Sequence, residues 1–418
     1  MIGVVQAHLV DQAGKGTRAQ CTVDQRNPEP AAADDGQLDG VHGVVLPAPQ
    51  LRGIVPYMAT PNRFDPLASA RTSEDPEFDL LLTGSVFFDI IFTGLDALPT
   101  PGTEVWAEGM GSCPGGVANQ AIAASRLGLR TTLAAAFGDD GYGAFNRSIL
   151  QGQEHVDLSR SRTFEQWHSP VTVSLSVARD RSMVTHGHPS PLSASELLAD
   201  LPRCRAAMAE VGPQVEPWVP AAHALGMRLF GDVGWDPSGS WSPDALDSLR
   251  YFHAFLPNET EAMAYTRTSD PWAALYALAD RVPVAVVTVG QQGAIAVDSL
   301  TGEEEWVPAL PVNAYDPTGA GDCFGAAFIT GDLAGWPLAD RLAFANLCAS
   351  LSVQEVGGSL AAPGWGDIAD WWRRVSAERD GVRKQWLRRY AFLEDIVSHV
   401  PAEAVRRASA TIATQSDA

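Results

Sequence analysis

The segment 316–322, Asp-Pro-Thr-Gly-Ala-Gly-Asp, has residue types and a spacing suited to handling an anion. Gly319, Ala320 and Gly321 carry little side chain, so their N–H groups can turn together toward an anion at the start of the apolar helix that follows. Asp322 then lies beside that anion, where a carboxylate is suited to accept a proton from an attacking hydroxyl. An ordinary helix start capped by an aspartate is the alternative. The segment by itself therefore predicts either a helix cap or a phosphoryl-transfer site.

A second glycine-rich segment lies upstream of the first. It opens with Gly115–Gly116 and runs into an alanine-rich stretch that ends in a glycine, which predicts a helix marked at both ends. An apolar strand, 80–85, precedes it, and the glycine-rich stretch 137–143 follows it. Together with the segment 316–322, this order resembles the ribokinase-like (PfkB) carbohydrate kinase family over roughly residues 78–360.

The composition is that of a large, acidic globular protein. The chain has 418 residues, 45% of them hydrophobic, and a formal net charge of -21. That acidity argues against nucleic acid or an anionic membrane surface as a partner. No apolar run reaches spanning length, and the start of the chain has no signal-like pattern, so we expect a cytoplasmic protein. The five cysteines have no metal-ligand spacing, and we expect them to be reduced thiols.

The chain divides into three predicted parts. Residues 1–76 are polar and rich in Gly and Pro without periodicity, which predicts a disordered extension, with Met58 as an alternative start within it. Residues 77–364 alternate short apolar runs with helical stretches, which predicts an α/β domain with a doubly wound, mostly parallel sheet flanked by helices. Residues 365–418 carry basic and aromatic side chains at helical spacing, which predicts amphipathic helices packed on the domain, with a partner contact as the alternative.

Two alternating segments within the domain, at approximately 98–112 and 168–188, predict a small separate sheet. The family resemblance implies that these strands form a lid over a sugar, where excluding water prevents hydrolysis of the activated phosphoryl group. A homodimer through the lid is a further candidate, because pairing would cover its exposed face. Arg179 and Arg181 fall in a predicted turn between lid strands, and we interpret them as solvated charges, with a phosphate clamp as the alternative.

The acceptor site is predicted from a carboxylate near the first strand. Asp89 follows that strand, and a carboxylate aimed at two vicinal hydroxyls discriminates strongly for them. The family resemblance implies that Asp89, Gly115, Gly116 and Asn119 contact the sugar. A turn residue at the end of a strand is the alternative for Asp89.

The family resemblance also implies a nucleotide side. Asn258 and Glu261 match an Asn-x-x-Glu element that organises Mg²⁺ through its waters, although the same residues also fit an ordinary N-capped helix start. Residues that resemble the ATP contacts are Thr288, Gly290, Gly293 and Asn346, the last on the adenine side. For Asn346, a helix residue that faces a turn is the alternative.

A monovalent cation site is implied at the start of the segment 316–322. In family members that use K⁺, the residues that match Asp316 and Thr318 supply oxygens, together with backbone carbonyls near 356–358. Such a cation would support the anion-binding backbone electrostatically.

These residues together predict an ATP-dependent kinase that phosphorylates a hydroxyl of a free sugar or a sugar acid. Asp322 is the expected base and the backbone of 319–321 the expected anion hole. Val117 stands where the ribokinase branch has a lysine, so the segment is equally similar to fructokinase, ketodeoxygluconate kinase and nucleoside kinase members. A nucleoside kinase of the adenosine type is one alternative, and a non-catalytic regulatory protein that binds sugar or nucleotide is the other.

Overall fold

The computed structural model describes residues 63–177, 180–234, 239–377 and 381–407. The strands, numbered in chain order, are β1 (Phe78–Thr83), β2 (Val86–Leu95), β3 (Gly109–Gly116), β4 (Thr131–Ala134), β5 (Ala136–Gly138), β6 (Arg162–Phe164), β7 (Val171–Val177), β8 (Asp180–His186), β9 (Cys204–Glu210), β10 (Arg228–Asp232), β11 (Ala254–Phe255), β12 (Val284–Thr288), β13 (Ala294–Asp298) and β14 (Glu303–Val307). The helices are α1 (Val117–Arg126), α2 (Gly141–Arg147), α3 (Ala194–Leu197), α4 (Trp218–Ala224), α5 (Glu259–Thr266), α6 (Pro271–Ala279), α7 (Ala320–Leu333), α8 (Leu338–Ser352), α9 (Gly358–Ala361), α10 (Trp365–Ala377), α11 (Gly381–Arg389) and α12 (Leu393–Val397).

The main sheet of the described chain is mostly parallel and has the order β14-β13-β12-β11-β10-β9-β1-β4. Strands β12 to β4 in that order pair in parallel, and β13 and β14 add an antiparallel edge. Successive side chains of β1 point to opposite faces, so Leu80 and Leu82 pack against α1, α7 and α8, whereas Leu81 packs in the layer of α4, α5 and α6. Both faces of the sheet are therefore covered by helices, and the predicted doubly wound α/β fold is confirmed.

A second sheet, with the order β3-β2-β7-β8, forms the predicted lid. Its register places Asp89 opposite Cys113 and Thr172, and Ser176 opposite Arg181, so these residues share one face. That face is turned toward the main domain, because Ser174 and Thr172 are buried while their neighbours along β7 are partly exposed.

Two local predictions about the lid are wrong. Residues 98–108 form turns and irregular chain, and the strand begins only at Gly109. Pro99 and Pro101 explain this, because a proline offers no N–H to a ladder, and the backbone instead turns with a Thr103 to Thr100 hydrogen bond. Arg181 lies inside β8 and not in a turn, and Arg179 lies outside the described residues.

Residues 63–76 pack on the domain, although the sequence places them in the extension. The Phe64 ring meets Trp365 edge-on at a centroid distance of 5.3 Å, and Leu67 is 1% exposed within the main core. Arg71 forms an ion pair with the buried Asp79 of β1. The folded domain therefore begins at or before Arg63, and the prediction for residues 1–62 concerns chain outside the described residues.

The C-terminal helices also pack on the domain. Trp365 of α10 is buried between Phe64 and Phe344, and Trp371 meets Tyr390 at a centroid distance of 4.9 Å. In the described parts of the chain, no helix has both the length and the apolar character needed to cross a bilayer.

Candidate active site

The segment 316–322 forms the entry to α7. Gly319 is its N-cap in the left-handed region, with φ 72°, and a Cβ on Gly319 would lie 2.7 Å from the Cα of Gly358. Glycine is therefore required at position 319 both by the backbone angle and by the close approach of a second backbone.

The predicted anion hole lies in the first turn of α7, where backbone N–H groups have no acceptor within the helix. The N–H of Ala320 lies 3.3 Å from the carbonyl oxygen of Pro317, a long contact within the turn. A Cβ on Gly321 would meet nothing within 4 Å, so the space in front of this residue is open to a ligand.

Asp322 lies in the same first turn and is held by a residue from the other glycine-rich segment. Asn119 in the first turn of α1 donates from Nδ2 to Asp322 Oδ2 at 3.1 Å. Burial raises the pKa of the Asp322 carboxyl to about 6, and the hydrogen bond from Asn119 opposes that rise. The sequence predicts both residues as functional but not their contact, which joins positions 203 residues apart.

The other polar atom of Asn119, Oδ1, lies beside Gly358. Asn119 Oδ1 is buried and accepts no hydrogen bond from any described residue. A buried acceptor without a donor costs free energy, and a substrate hydroxyl would remove that cost. A hydrogen bond from a sugar hydroxyl to Asn119 Oδ1 would agree with the predicted contact between Asn119 and the sugar.

Asp89 lies in the middle of β2, so the alternative of a turn residue at the end of a strand is wrong. Its carboxylate lies against the Cα of Gly115 in the neighbouring strand β3, so closely that no Cβ would fit. Gly115 and Gly116 end β3 and lead directly into α1. Burial raises the pKa of Asp89 to about 7. A partly buried carboxylate without a neutralising cation is suited to bind hydroxyl groups.

Two acidic residues that the sequence did not single out, Glu210 and Asp232, join the site. They end the neighbouring strands β9 and β10 at the carboxyl edge of the main sheet. Burial and, to a smaller extent, the negative charges of Glu261, Asp322 and Glu210 raise the pKa of Asp232 to about 7, against the hydrogen bond that the Val233 N–H donates to it. Each of these residues stands at the carboxyl end of a buried parallel strand, and that position is the sequence signal that could have identified them.

The nucleotide-side residues lie at neighbouring strand ends. Asn258 and Glu261 form a reciprocal capping box at the start of α5, with N–O distances of 2.9 and 3.0 Å, and burial raises the pKa of Glu261. Thr288 forms a bridge with Asn258. No group of three or more His, Cys, Asp or Glu in the described residues already has a metal-binding arrangement.

The remaining nucleotide-side residues surround the end of β14. Gly293 packs so closely on the carbonyl oxygen of Val307 that a Cβ would not fit, whereas a Cβ on Gly290 would meet nothing within 4 Å. Asn346 is buried and donates from Nδ2 to that same carbonyl oxygen at 2.8 Å. The amide nitrogen of Asn346 therefore holds α8 to β14.

Asp316 is the most heavily bonded carboxylate of the loop. Its Oδ1 accepts from Thr318 N at 2.9 Å and from Thr318 Oγ1 at 2.5 Å, and its Oδ2 accepts from Gly357 N at 2.9 Å. Arg181 of the lid approaches Oδ1 at 3.2 Å. Asp316 and Thr318 are thus brought together as predicted, with a guanidinium group beside them.

A cavity of about 560 Å³ opens at the carboxyl ends of β1 and β9. It is lined by Thr83 and Gly84 on one side and by Glu210, Gln214 and Glu216 on the other. Among the described residues that line it, none is basic. It lies at the carboxyl edge of the parallel sheet, where α/β proteins bind ligands, but Asp89, Asn119 and Asp322 are not among its lining residues.

Comparison with known proteins identifies the family and the fold. The profile of the "pfkB family carbohydrate kinase" family matches residues 79–210 and 215–364. A ribokinase from Schizosaccharomyces pombe is 27% identical over 306 residues, which cover 68% of this chain and 95% of that protein. A nucleoside kinase from Methanothermobacter thermautotrophicus is 29% identical over 303 residues, which cover 69% of this chain and 94% of that protein.

Among solved structures, the fold is similar to that of Arabidopsis thaliana ribokinase complexed with ribose and ATP. The TM-score is 0.57 at 24% sequence identity, and the alignment covers 69% of this chain and 96% of that chain. At this level of identity, the comparison identifies the fold and leaves the substrate to the chemistry of the site.

Proposed function

Because the chain belongs to the pfkB family of carbohydrate kinases, we propose that it transfers the γ-phosphoryl group of ATP to a hydroxyl of a free sugar or sugar acid. The observation that carries the proposal is the hydrogen bond between Asn119 and Asp322, which joins the two glycine-rich segments at a carboxylate of raised pKa. In this arrangement Asn119 orients the base, and its Oδ1 has no donor among the described residues.

Asp322 acts as the general base. With a pKa of about 6, its carboxyl is mostly ionised at neutral pH and is a stronger base than an ordinary aspartate. It accepts the proton of the attacking hydroxyl as the bond to phosphorus forms. Because phosphoryl transfer has a loose transition state, this modest basicity is sufficient.

The backbone of 319–321 stabilises the charge on the transferring phosphoryl group. The open space at the Cα of Gly321 and the position of these N–H groups in the first turn, where the helix offers them no acceptor, support this role. Removal of one such donor typically costs about 3 kcal/mol in the activation barrier.

The acidic edge of the sheet fits a divalent cation. The pKa of Asp232 is raised mainly by burial and in smaller part by the negative charges of Glu261 and Glu210, and oxygen ligands of this kind suit Mg²⁺. When bound, Mg²⁺ would offset the charge of the ATP phosphates. Glu261 and Asn258 would hold its waters, with Asp232 as an additional acidic neighbour.

Within the proposed acceptor classes, the charges of the acceptor site favour a neutral sugar over a sugar acid. The site contains the carboxyl groups of Asp89 and Asp322, so an acceptor carboxylate would face repulsion. A nucleoside is the second candidate. The similarity to the nucleoside kinase is consistent with that candidate.

A homodimer through the lid is part of the proposal. The outer face of the lid exposes Met110 and Val184, and Phe92 between them is only partly buried. An exposed apolar sheet face is commonly covered by a partner. Light scattering of the wild type and of a Val184→Glu variant tests this contact, since a charge there would shift a lid dimer to monomer.

The test of the kinase is Mg·ATP-dependent ADP release over a panel of free sugars, sugar acids and nucleosides. We expect turnover with one class and a loss of several orders of magnitude in Asp322→Asn, while ATP binding by calorimetry stays unchanged. Asp247→Asn, which alters an exposed carboxylate, is the matched control. Equal turnover in Asp322→Asn would remove Asp322 as the base, and ATP binding without turnover on any acceptor would favour the non-catalytic alternative.

A further inference from the structure

Arg181 connects the lid to the phosphoryl-transfer segment. It lies on β8, at the edge of the lid sheet, on the face turned toward the main domain. Its Nη1 lies 3.2 Å from Oδ1 of the buried Asp316, 135 positions away in the sequence. The pair is partly buried, so solvent screens it less than a surface ion pair.

The arrangement around Asp316 does not fit the monovalent cation that the family resemblance implies. Three donors already converge on Asp316 Oδ1, the N–H and hydroxyl of Thr318 and the Arg181 guanidinium, and Gly357 donates its N–H to Oδ2. The Arg181 guanidinium already lies at Oδ1, so K⁺ at this carboxylate would face a fixed positive charge. The positive charge beside Asp316 is therefore supplied by the chain.

We propose that Arg181 is a built-in cation that holds Asp316 and makes phosphoryl transfer independent of K⁺. The proposal rests on the kinase function proposed above. Arg181 is a positioning residue, because it acts through Asp316.

The path from Arg181 to the anion hole is short. Asp316 binds the N–H of Gly357, and the adjacent Gly358 packs against Gly319 and against Asn119. A second contact joins the lid to this segment, because Ile91 of β2 packs on Gly357. The position of the lid sheet and the placement of the first turn of α7 are therefore linked through these contacts.

The first experiment compares ADP release by the wild type in KCl and in tetramethylammonium chloride at equal ionic strength. We expect the same kcat in both salts. A rise of about tenfold or more in KCl would overturn the proposal. As a readout without turnover, the Tm of the wild type should be the same in both salts, and a K⁺-specific rise in Tm would also overturn it.

The second experiment replaces the guanidinium. Arg181→Met should lower kcat at least about tenfold with little change in the KM for ATP, because the anion hole loses its support, and Arg181→Lys should recover much of that loss. The matched control is Arg281→Met, which breaks the exposed ion pair with Asp247 and should leave kcat unchanged. Full activity of Arg181→Met would overturn the positioning role.

A double-mutant cycle measured on the unfolding free energy separates failure of this inference from failure of the kinase proposal. The changes in unfolding free energy caused by Arg181→Met and Asp316→Asn should not add up to the change in the double variant. For the exposed pair, the changes caused by Arg281→Met and Asp247→Asn should be additive. If no acceptor is phosphorylated in any salt, the kinase proposal fails, and the cycle together with the Tm comparison still decides whether Arg181 serves as the cation of Asp316. Additivity of the Arg181 and Asp316 variants would overturn the inference.

Discussion

The hydrogen bond from Asn119 to Asp322 makes the acid limb of the pH–rate profile a direct test of the site. Burial raises the pKa of Asp322 to about 6, and Asn119 opposes the rise by stabilising the ionised form. The Asn119→Ala variant loses that donor, so the pKa of Asp322 should rise further. The acid limb of kcat/KM, which reports the free enzyme, should therefore move toward higher pH.

The size of the shift follows from the hydrogen bond. A hydrogen bond to a charged group contributes about 1.5–3 kcal/mol, and one pKa unit corresponds to about 1.4 kcal/mol, so the midpoint should rise by about 1–2 units. For a midpoint that moves from about 6 to about 7.5, the ionised fraction of Asp322 at pH 6.5 falls from about three-quarters to about a tenth. At pH 9 the base of both enzymes is almost fully ionised.

The assay is the pH dependence of kcat/KM from pH 4.5 to 9.5 for the wild type and the variant, each normalised to its own plateau. Normalisation removes any loss of acceptor binding that does not depend on pH. Asn146→Ala is the matched control, because Asn146 is also buried and donates to the backbone of Phe87 instead of to the base. An unchanged midpoint in Asn119→Ala, or a shift to lower pH, would refute the assigned role of the hydrogen bond.

Two further predictions concern stability. Burial raises the folded-state pKa of Asp89 to about 7, above the value of 3.8 for an isolated aspartate, so its ionisation costs stability as pH rises from 4 through 7. Asp89→Asn should therefore raise the Tm at pH 8, and this gain should shrink toward pH 4. The same substitution should increase the KM for the acceptor. A lower Tm at pH 8 would contradict this account. Leu67→Ala should lower the unfolding free energy by about 2–5 kcal/mol in urea titrations, because Leu67 is 1% exposed in the main core, and a change near zero would place residues 63–76 outside the cooperative unit.

The fold and the glycine-rich segments of the site could be predicted from the sequence because both depend on short-range patterns. The segment 316–322 and the pair Gly115–Gly116 combine small residues with helix starts, and such signals are local. The continuous apolar strand 284–288 likewise indicates a parallel sheet buried on both faces. These features need no knowledge of distant contacts.

The parts that the sequence did not predict depend on distant contacts or on competing local rules. Arg181 was interpreted as a solvated charge because its partner Asp316 is remote in the chain. Residues 98–108 alternate like a strand, but two prolines exclude a ladder. The apolar anchors of residues 63–76 are Phe64 and Leu67, which are too few for a periodic pattern.

The contact between Phe64 and Trp365 also has a consequence for the timing of synthesis. The two aromatic rings are separated by 301 positions of the chain, so the earlier one leaves the ribosome long before its partner exists. At a synthesis rate of about 5–20 residues per second, the delay is about 15–60 s. During that interval the apolar side chains of residues 63–76 have no final packing site on α10, and the nascent chain presents them to chaperones and proteases.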